Sequence, residues 1–327
     1  MIINTMGGGG KIKHANYMNV VDAYFNSTKT GGYSRFTIDV CPLIYKDNIW
    51  LIYGASAANN STYRYFDGTG FLTASSTDTP TAFKFYTRQF GDCEYGGNYY
   101  IVGGTTSGST SPYFYKYDGT TWTQLASPPT LSGCYNSEST NIVGYNNKIY
   151  AFFQGDTSPY WMHVYLYDIS SNTWTANVAT PSAKFNSGDY QPIVYNGLIW
   201  MGVNTASSGT TYRLYTMNPS TYAFTNKAAF PGSSVLALFI SDGKLCGFGN
   251  GPSADPDSTS VSPGVWEFTG SSWTRITPST YTNFKFTGRR SSWVNEAGQL
   301  FINFGVTASS TEYYAGTHRV WPTIGEY

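Results

Sequence analysis

Apolar and polar positions alternate along most of the chain, and tight turns interrupt the alternation at regular intervals. One stretch sets the pattern: Asn146-Asn147-Lys148-Ile149-Tyr150-Ala151-Phe152-Phe153, a polar turn followed by an apolar and aromatic run. Fifty residues earlier stands Gly96-Gly97-Asn98-Tyr99-Tyr100-Ile101-Val102-Gly103-Gly104. Fifty before that comes Lys46-Asp47-Asn48-Ile49-Trp50-Leu51-Ile52-Tyr53-Gly54, and fifty later Asn196-Gly197-Leu198-Ile199-Trp200-Met201-Gly202. Trp50, Tyr100, Tyr150 and Trp200 are therefore equivalent positions. Looser copies follow at 241–249 and 296–305, which makes six units. A repeat of this length predicts one repetitive architecture over the whole chain, in place of the two domains that 327 residues would otherwise suggest.

Each unit reads as four strands. An apolar strand leads in, as in Val40-Cys41-Pro42-Leu43-Ile44-Tyr45. A turn such as Asn196-Gly197 or Asp242-Gly243 follows, both strong hairpin signals because both central residues need positive φ. The repeated run is the second strand. A longer polar loop then reaches a Tyr-rich third strand, as in Tyr115-Lys116-Tyr117-Asp118 or Tyr165-Leu166-Tyr167-Asp168. A second short turn leads to one large aromatic, Phe71, Trp122, Trp174, Phe224 or Trp273, which opens the fourth strand. Period-2 alternation with no sustained helical period makes the chain all-β. Four antiparallel strands in each of six units predict a six-bladed β-propeller.

The termini fit a closed ring. The sixth unit has three strands, ending near Val320-Trp321, and no aromatic opener after them. The segment Tyr17 to Phe25 has no turn-strand partner of its own and is of the right character to supply the missing strand. The expected division is a flexible anchor at 1–15, containing Gly7, Gly8, Gly9 and Gly10, and a propeller at 16–327 closed by the N-terminal strand. A glycine run is costly to order without a partner. It reads either as a mobile tail or as an anchor that orders on another subunit.

Composition narrows the function. There are 29 Tyr, 20 Phe and 9 Trp, but only 12% charged residues and no net charge. A duplex-binding surface needs clustered Lys and Arg, and the adjacent pair Arg289-Arg290 is no such cluster, so no nucleic-acid partner is expected. No apolar run approaches the roughly 18 residues of a membrane span, and the N-terminus lacks the basic and apolar regions of a secretory signal. Cys41, Cys93, Cys134 and Cys246 show no metal-ligand spacing and read as buried thiols. His14, His163 and His318 lie in the tail or at third strands of non-adjacent units, so neither a metal nor another cofactor is expected.

The order of tight turn, apolar strand ending in Gly-Gly, Tyr-rich strand, Asp and then Trp resembles the kelch repeat. Tyr99-Tyr100-Ile101-Val102-Gly103-Gly104 with Tyr115-Lys116-Tyr117-Asp118 and Trp122 is the best copy, and Asn147 to Tyr150 with Tyr165 to Asp168 and Trp174 the next. The resemblance covers about residues 38 to 321 and fades in the fifth and sixth units. It implies a kelch-like propeller and says little about chemistry. More weakly, the short lead with its glycine run, ahead of a low-charge domain rich in Tyr, Thr, Asn and Gly, resembles bacteriophage tail and fibre proteins. That resemblance implies a virion or extracellular protein without a signal peptide. Its partners would be other virion proteins, through the N-terminal segment, and a host-surface glycan or protein.

Enzymatic chemistry finds less support. A glycosidase needs paired carboxylates facing a pocket. Asp255 and Asp257 lie in the longest loop, where they read as turn formers beside Pro and Ser, and Asp39, Asp92 and Asp189 are expected just before first strands. Asp118-Gly119-Thr120-Thr121-Trp122 lacks the spacer of a sialidase Asp box, and no Tyr, Cys and His set for copper is visible. Binding is the better reading. The loops between second and third strands, 55–62, 105–112, 156–162, 204–210, 250–263 and 306–311, vary in length and share one face of a propeller. Asp156, Tyr160, Trp161, Tyr113, Asn204, Asp255 and Asp257 are the candidate ligand residues on that face. Trp161 has two open readings: stacking on a ligand, or starting the third strand and packing between blades. The expectation is a non-enzymatic binding or structural module of a phage tail or fibre. The alternatives are a carbohydrate-active hydrolase and an intracellular kelch-type scaffold.

Overall fold

A computed structural model describes residues 17–19, 40–45, 48–53, 64–66, 71–73, 90–103, 113–129, 140–155, 161–183, 191–204, 212–228, 230, 234–241, 243–250, 264–276, 292–294, 300–304 and 316–320, with side chains between 91 and 276 of that set. Every described element is a strand. β1 (Tyr17–Asn19) comes first in the chain. β2 (Val40–Tyr45), β3 (Asn48–Tyr53), β4 (Arg64–Phe66) and β5 (Phe71–Thr73) follow. Blade two comprises β6 (Phe90–Tyr95), β7 (Asn98–Gly103), β8 (Tyr113–Tyr117) and β9 (Trp122–Gln124). Blade three comprises β10 (Asn141–Tyr145), β11 (Lys148–Gln154), β12 (Met162–Asp168) and β13 (Thr173–Ala179). Blade four comprises β14 (Ile193–Tyr195), β15 (Leu198–Asn204), β16 (Tyr212–Met217) and β17 (Phe224–Asn226). Blade five comprises β18 (Ser234–Ser241), β19 (Lys244–Asn250), β20 (Gly264–Phe268) and β21 (Trp273–Arg275). Each of these sheets is an antiparallel meander of neighbouring strands, which makes the chain a β-propeller of four-stranded blades.

Four blades, β6 to β21, are described through their side chains, fewer than the six that the turn-strand copies predict. The other strands are described in their backbone: β2-β3-β4-β5 as one sheet, and β22 (Ser292–Val294), β23 (Leu300–Phe304) and β24 (Gly316–Val320) in the order β1-β24-β23-β22. The anchor glycines Gly7 to Gly10 lie outside the described residues.

The turns follow from their residues. Asn146 and Asn147 (φ 48° and 60°), Gly96 and Gly97 (58° and 68°), and Asn196 and Gly197 (49° and 72°) all take the left-handed backbone. That is the conformation a two-residue hairpin needs to match the strand twist. The second short turn has its own device. Asp118 Oδ1 accepts the Thr120 and Thr121 N–H groups at 2.8 Å each, Asp168 Oδ1 those of Ser170 and Ser171 at 3.0 and 3.1 Å, and Asn218 Oδ1 those of Ser220 and Thr221 at 2.9 and 3.2 Å. These side chains close the turn where the backbone alone would leave donors unmet.

Both faces of a blade are buried, and alternation along a strand sorts its residues between them. On β11, Ile149, Ala151 and Phe153 pack with Tyr100, Val102 and Phe114 of blade two. Tyr150 and Phe152 pack with Ile199, Met201 and Val203 of blade four. Trp200 then faces blade five, against Cys246, Phe248 and Trp266. The repeated aromatic at 100, 150 and 200 is thus the forward-facing member of each run. Cys93 and Cys246 are thiols buried in these clusters.

Polar hooks join successive blades at matching places. Tyr95 Oη accepts the Asn147 N–H of the next blade at 2.7 Å, and the Tyr95 ring lies on Gly144, where a Cβ would collide with it. The Trp174 indole N–H donates to the Ala126 carbonyl of the preceding blade at 2.7 Å, while Asn172 Oδ1 accepts the Ala126 N–H at 2.9 Å. Trp273 repeats the first of these with Ala228 at 3.4 Å. Trp174 and Trp273, two of the large aromatics evident in the sequence, therefore bond the outer edges of neighbouring blades together.

Candidate functional site

The first strands of successive blades lie beside one another, so the later strands fan outward and the connections divide between two ends of the blades. The two-residue turns, 96–97, 146–147 and 196–197, occupy one end. The other end carries the connections between second and third strands, and it is where the sequence places its candidate residues. Asp156, Tyr160, Asp255 and Asp257 lie outside the described residues. Tyr113, Trp161 and Asn204 are described and lie at this end of blades two, three and four.

Tyr113 opens β8 opposite Gly103, half-buried, its ring centroid 6.2 Å from that of Tyr115. Asn204 closes β15 opposite Tyr212, described in its backbone. Trp161 stands one residue before β12, and its carbonyl accepts the Gly155 N–H at 2.9 Å, which extends the β11–β12 pairing by one rung. Its indole is half-buried. The sequence left Trp161 between the strand start and the exposed loop, and it sits at that boundary.

Register brings forward two residues that the sequence reading passed over. Tyr113 pairs with Gly103, His163 with Phe153 and Arg213 with Val203, so the three are one position in three successive blades. His163 is expected from the sequence to be structural or on the surface, with no role as a metal ligand. The spacing of fifty among the three was the available signal. The neighbouring positions stay apolar: Phe114, Val164 and Leu214 are all buried. Tyr113 and His163 are half-buried, whereas Arg213 is exposed.

Blade three is built differently here. Its outer strand β13 has seven residues where β9, β17 and β21 have three. The register shifts between Val164, opposite Ala179, and Leu166, opposite Thr175. In that bulge Asn177 takes φ 50° and its Oδ1 accepts the His163 Nδ1–H at 3.2 Å and the Thr180 hydroxyl at 2.8 Å. Bulges re-aim side chains at sheet ends. A neutral imidazole donating from Nδ1 keeps Nε2 as an acceptor.

Burial, and then Tyr113, raises the Tyr115 hydroxyl near this end, and the other shifted titrations lie away from it and have structural causes. Burial, then Tyr222 and Tyr145, pushes the Tyr150 hydroxyl up to about 12, and burial, then Asp168, does the same for Tyr167. The Ser170 hydroxyl and then the Ser171 N–H hold the Asp168 carboxyl below its usual range, as expected of a turn-closing carboxylate. Asp92, expected ahead of a strand, is inside β6, buried and opposite Ile101. The strand starts earlier than expected, at Phe90, so that Asp92 is its third residue. Among the described residues no group of His, Cys, Asp and Glu is placed to hold a metal, and no helix is long and apolar enough to cross a membrane.

No family model matches the chain, and no curated protein matches it in sequence. Solved structures do match its fold. The structure of YjhT is similar over 86% of this chain and 93% of that one, at 14% identity and a TM-score of 0.52. Trypanosoma rangeli sialidase, in complex with 2,3-difluoro-KDN, is similar over 86% of this chain at 10% identity and a TM-score of 0.55. The match spans about half of the sialidase, 53% of its chain. Both are β-propellers, and at these identities the likeness establishes the fold this chain shares with them.

Proposed function

We propose that the chain is a six-bladed, kelch-like propeller that serves as a non-enzymatic attachment module, a component of a phage tail or fibre, and recognises a host-surface glycan or protein through the second-to-third-strand face. The observation that carries this reading is the contrast between repeated walls and a varied rim. The walls between blades keep one apolar chemistry, while the rim position changes from Tyr113 to His163 to Arg213. Rigid scaffolds with varied edges are the usual basis of recognition. In this reading residues 1–15, with their four glycines, dock into other virion proteins, and the protein acts outside the cell. Six blades gain support from β22, which neighbours both β18 and β2. Closure by the N-terminal strand gains support from the antiparallel register of Tyr17 to Asn19 with Val320 to His318.

Adding the purified chain to host bacteria before the particles tests this role. An attachment module saturates the receptor and blocks adsorption, whereas a tail part without receptor contact leaves adsorption unchanged. The alternative of a carbohydrate-active propeller is favoured by one observation, the fold shared with a sialidase. That alternative predicts release of sugar from a glycan substrate by the purified chain, and the attachment reading predicts binding without turnover.

A further inference from the structure

We propose that Tyr113, Trp161, His163 and Arg213 form one continuous arc that binds a carboxylate-bearing glycan; this rests on the reading that the second-to-third-strand face recognises a ligand. Alternation puts His163 on the side of β12 that carries Tyr165 and Tyr167, which pack toward blade two. Arg213 stands on the side of β16 that carries Tyr215 and Met217, which pack toward blade three. Each residue therefore stands at the mouth of one crevice between blades. Packed sheets lie about 10 Å apart, so successive mouths are spaced for an extended oligomer and not for one monosaccharide.

The chemistry at the mouths fits such an oligomer. Half-buried Tyr113 and Trp161 offer aromatic faces with little conformational freedom left to lose, suited to stacking on sugar rings. The imidazole of His163 is fixed by Asn177, itself fixed by Thr180, in an outer strand that is bulged and, among the described residues, longer than its counterparts. Its Nε2 is left to pair with a hydroxyl. Arg213 is exposed, and among the described residues its guanidinium pairs with no carboxylate. A guanidinium fork matches a carboxylate with two parallel hydrogen bonds. A protein partner is the weaker fit, because stable protein interfaces centre on a desolvated apolar core, and this rim sets single aromatic and polar groups at intervals.

The test uses the full chain, labelled, on a panel of acidic oligosaccharides (oligogalacturonates and sialylated chains), their carboxyl-reduced forms and neutral maltotetraose, with adsorption to host bacteria measured in parallel. The expected result is binding to acidic chains that is lost on carboxyl reduction, a tenfold or greater loss in Arg213→Gln from the missing charged pair, and a comparable loss in Trp161→Ala. His163→Gln keeps partial binding. Arg275→Gln, a cation on the outer strand over the Trp266 ring, serves as control and binds like the parent. A thermal midpoint unchanged in Arg213→Gln separates lost binding from lost folding. Wild-type adsorption and glycan binding that persist in both Arg213→Gln and Trp161→Ala overturn the arc and leave the attachment role standing. Adsorption abolished by protease treatment of the bacteria, with no glycan bound, overturns the glycan in favour of a protein receptor. No adsorption at all overturns the attachment reading itself, and the arc with it.

Discussion

The wall between blades two and three and the rim above it are built from the same strands, yet they follow opposite rules. In the walls between blades, equivalent positions stay buried and large: Tyr99, Ile149 and Ile199 on one side of their blades, and Tyr100, Tyr150 and Trp200 on the other. At the rim, a single register position holds a phenol, an imidazole and a guanidinium in successive blades. The wall repeats because each blade must present the same shape to its neighbour for the units to stack at a constant angle. The rim closes nothing, so its residues are not bound by that requirement. Buried repetition therefore reports the fold, and departure from repetition is what the proposed binding face rests on.

The comparison breaks most sharply in the wall. Phe152 is fully buried between blades three and four. Phe152→Ala is expected to cost about 3–5 kcal/mol in chemical denaturation, against a change within about 0.5 kcal/mol for Arg213→Gln at the rim. Equal losses at the two sites would remove the distinction between wall and rim. Next comes Gly144→Ala, whose new methyl group meets the Tyr95 ring. That ring is tethered through its hydroxyl to Asn147 and has little room to yield. A loss of about 1–3 kcal/mol is expected, and Tyr95→Ala in the same chain should recover part of it.

Alkali probes both sides of blade three at once. Tyr150 donates to the Pro219 carbonyl at 3.2 Å and Tyr167 to Asn172 Oδ1 at 2.8 Å, and both hydroxyls titrate at about 12 instead of 10.0. The folded state holds these protons more tightly than the unfolded chain does. Their stabilisation is therefore complete below pH 10 and declines as pH rises through 12. Melting followed across this range should fall together with the rise of tyrosinate absorbance, and a Tyr150→Phe, Tyr167→Phe double variant should flatten the decline. A smaller effect is expected of Trp174→Phe, which keeps the ring packing and deletes one indole bond to Ala126. Its cost should be about 1 kcal/mol, with the rim untouched.

Much of the wall was legible in the sequence and much of the rim was not. Asn196-Gly197 and Gly96-Gly97 announce their turns because few residues tolerate their φ values. Trp122, Phe224 and Trp273 open their strands as expected, and Trp174 stands one residue inside β13. These signals are local. The inter-blade bonds of Tyr95 and Trp174 were hidden, since they depend on which units adjoin and at what register. The bulge in β13 was hidden for another reason: Asn177 differs from a strand residue in its backbone, not in its composition. Without that bulge nothing marks His163 as a held side chain. Trp161 was visible as an aromatic at a loop end, while Arg213 was marked only by its spacing of fifty from His163, which the pairing register turns into one position.

The measurement that bears most directly on the whole account is an electron cryomicroscopy map of the chain within the particle that carries it. The account predicts six blades closed by Tyr17–Asn19 on Gly316–Val320, residues 1–15 seated in a neighbouring virion protein, and Tyr113, His163 and Arg213 facing outward. A ring of another blade number, or a rim buried against the particle with the two-residue turns exposed, would contradict it.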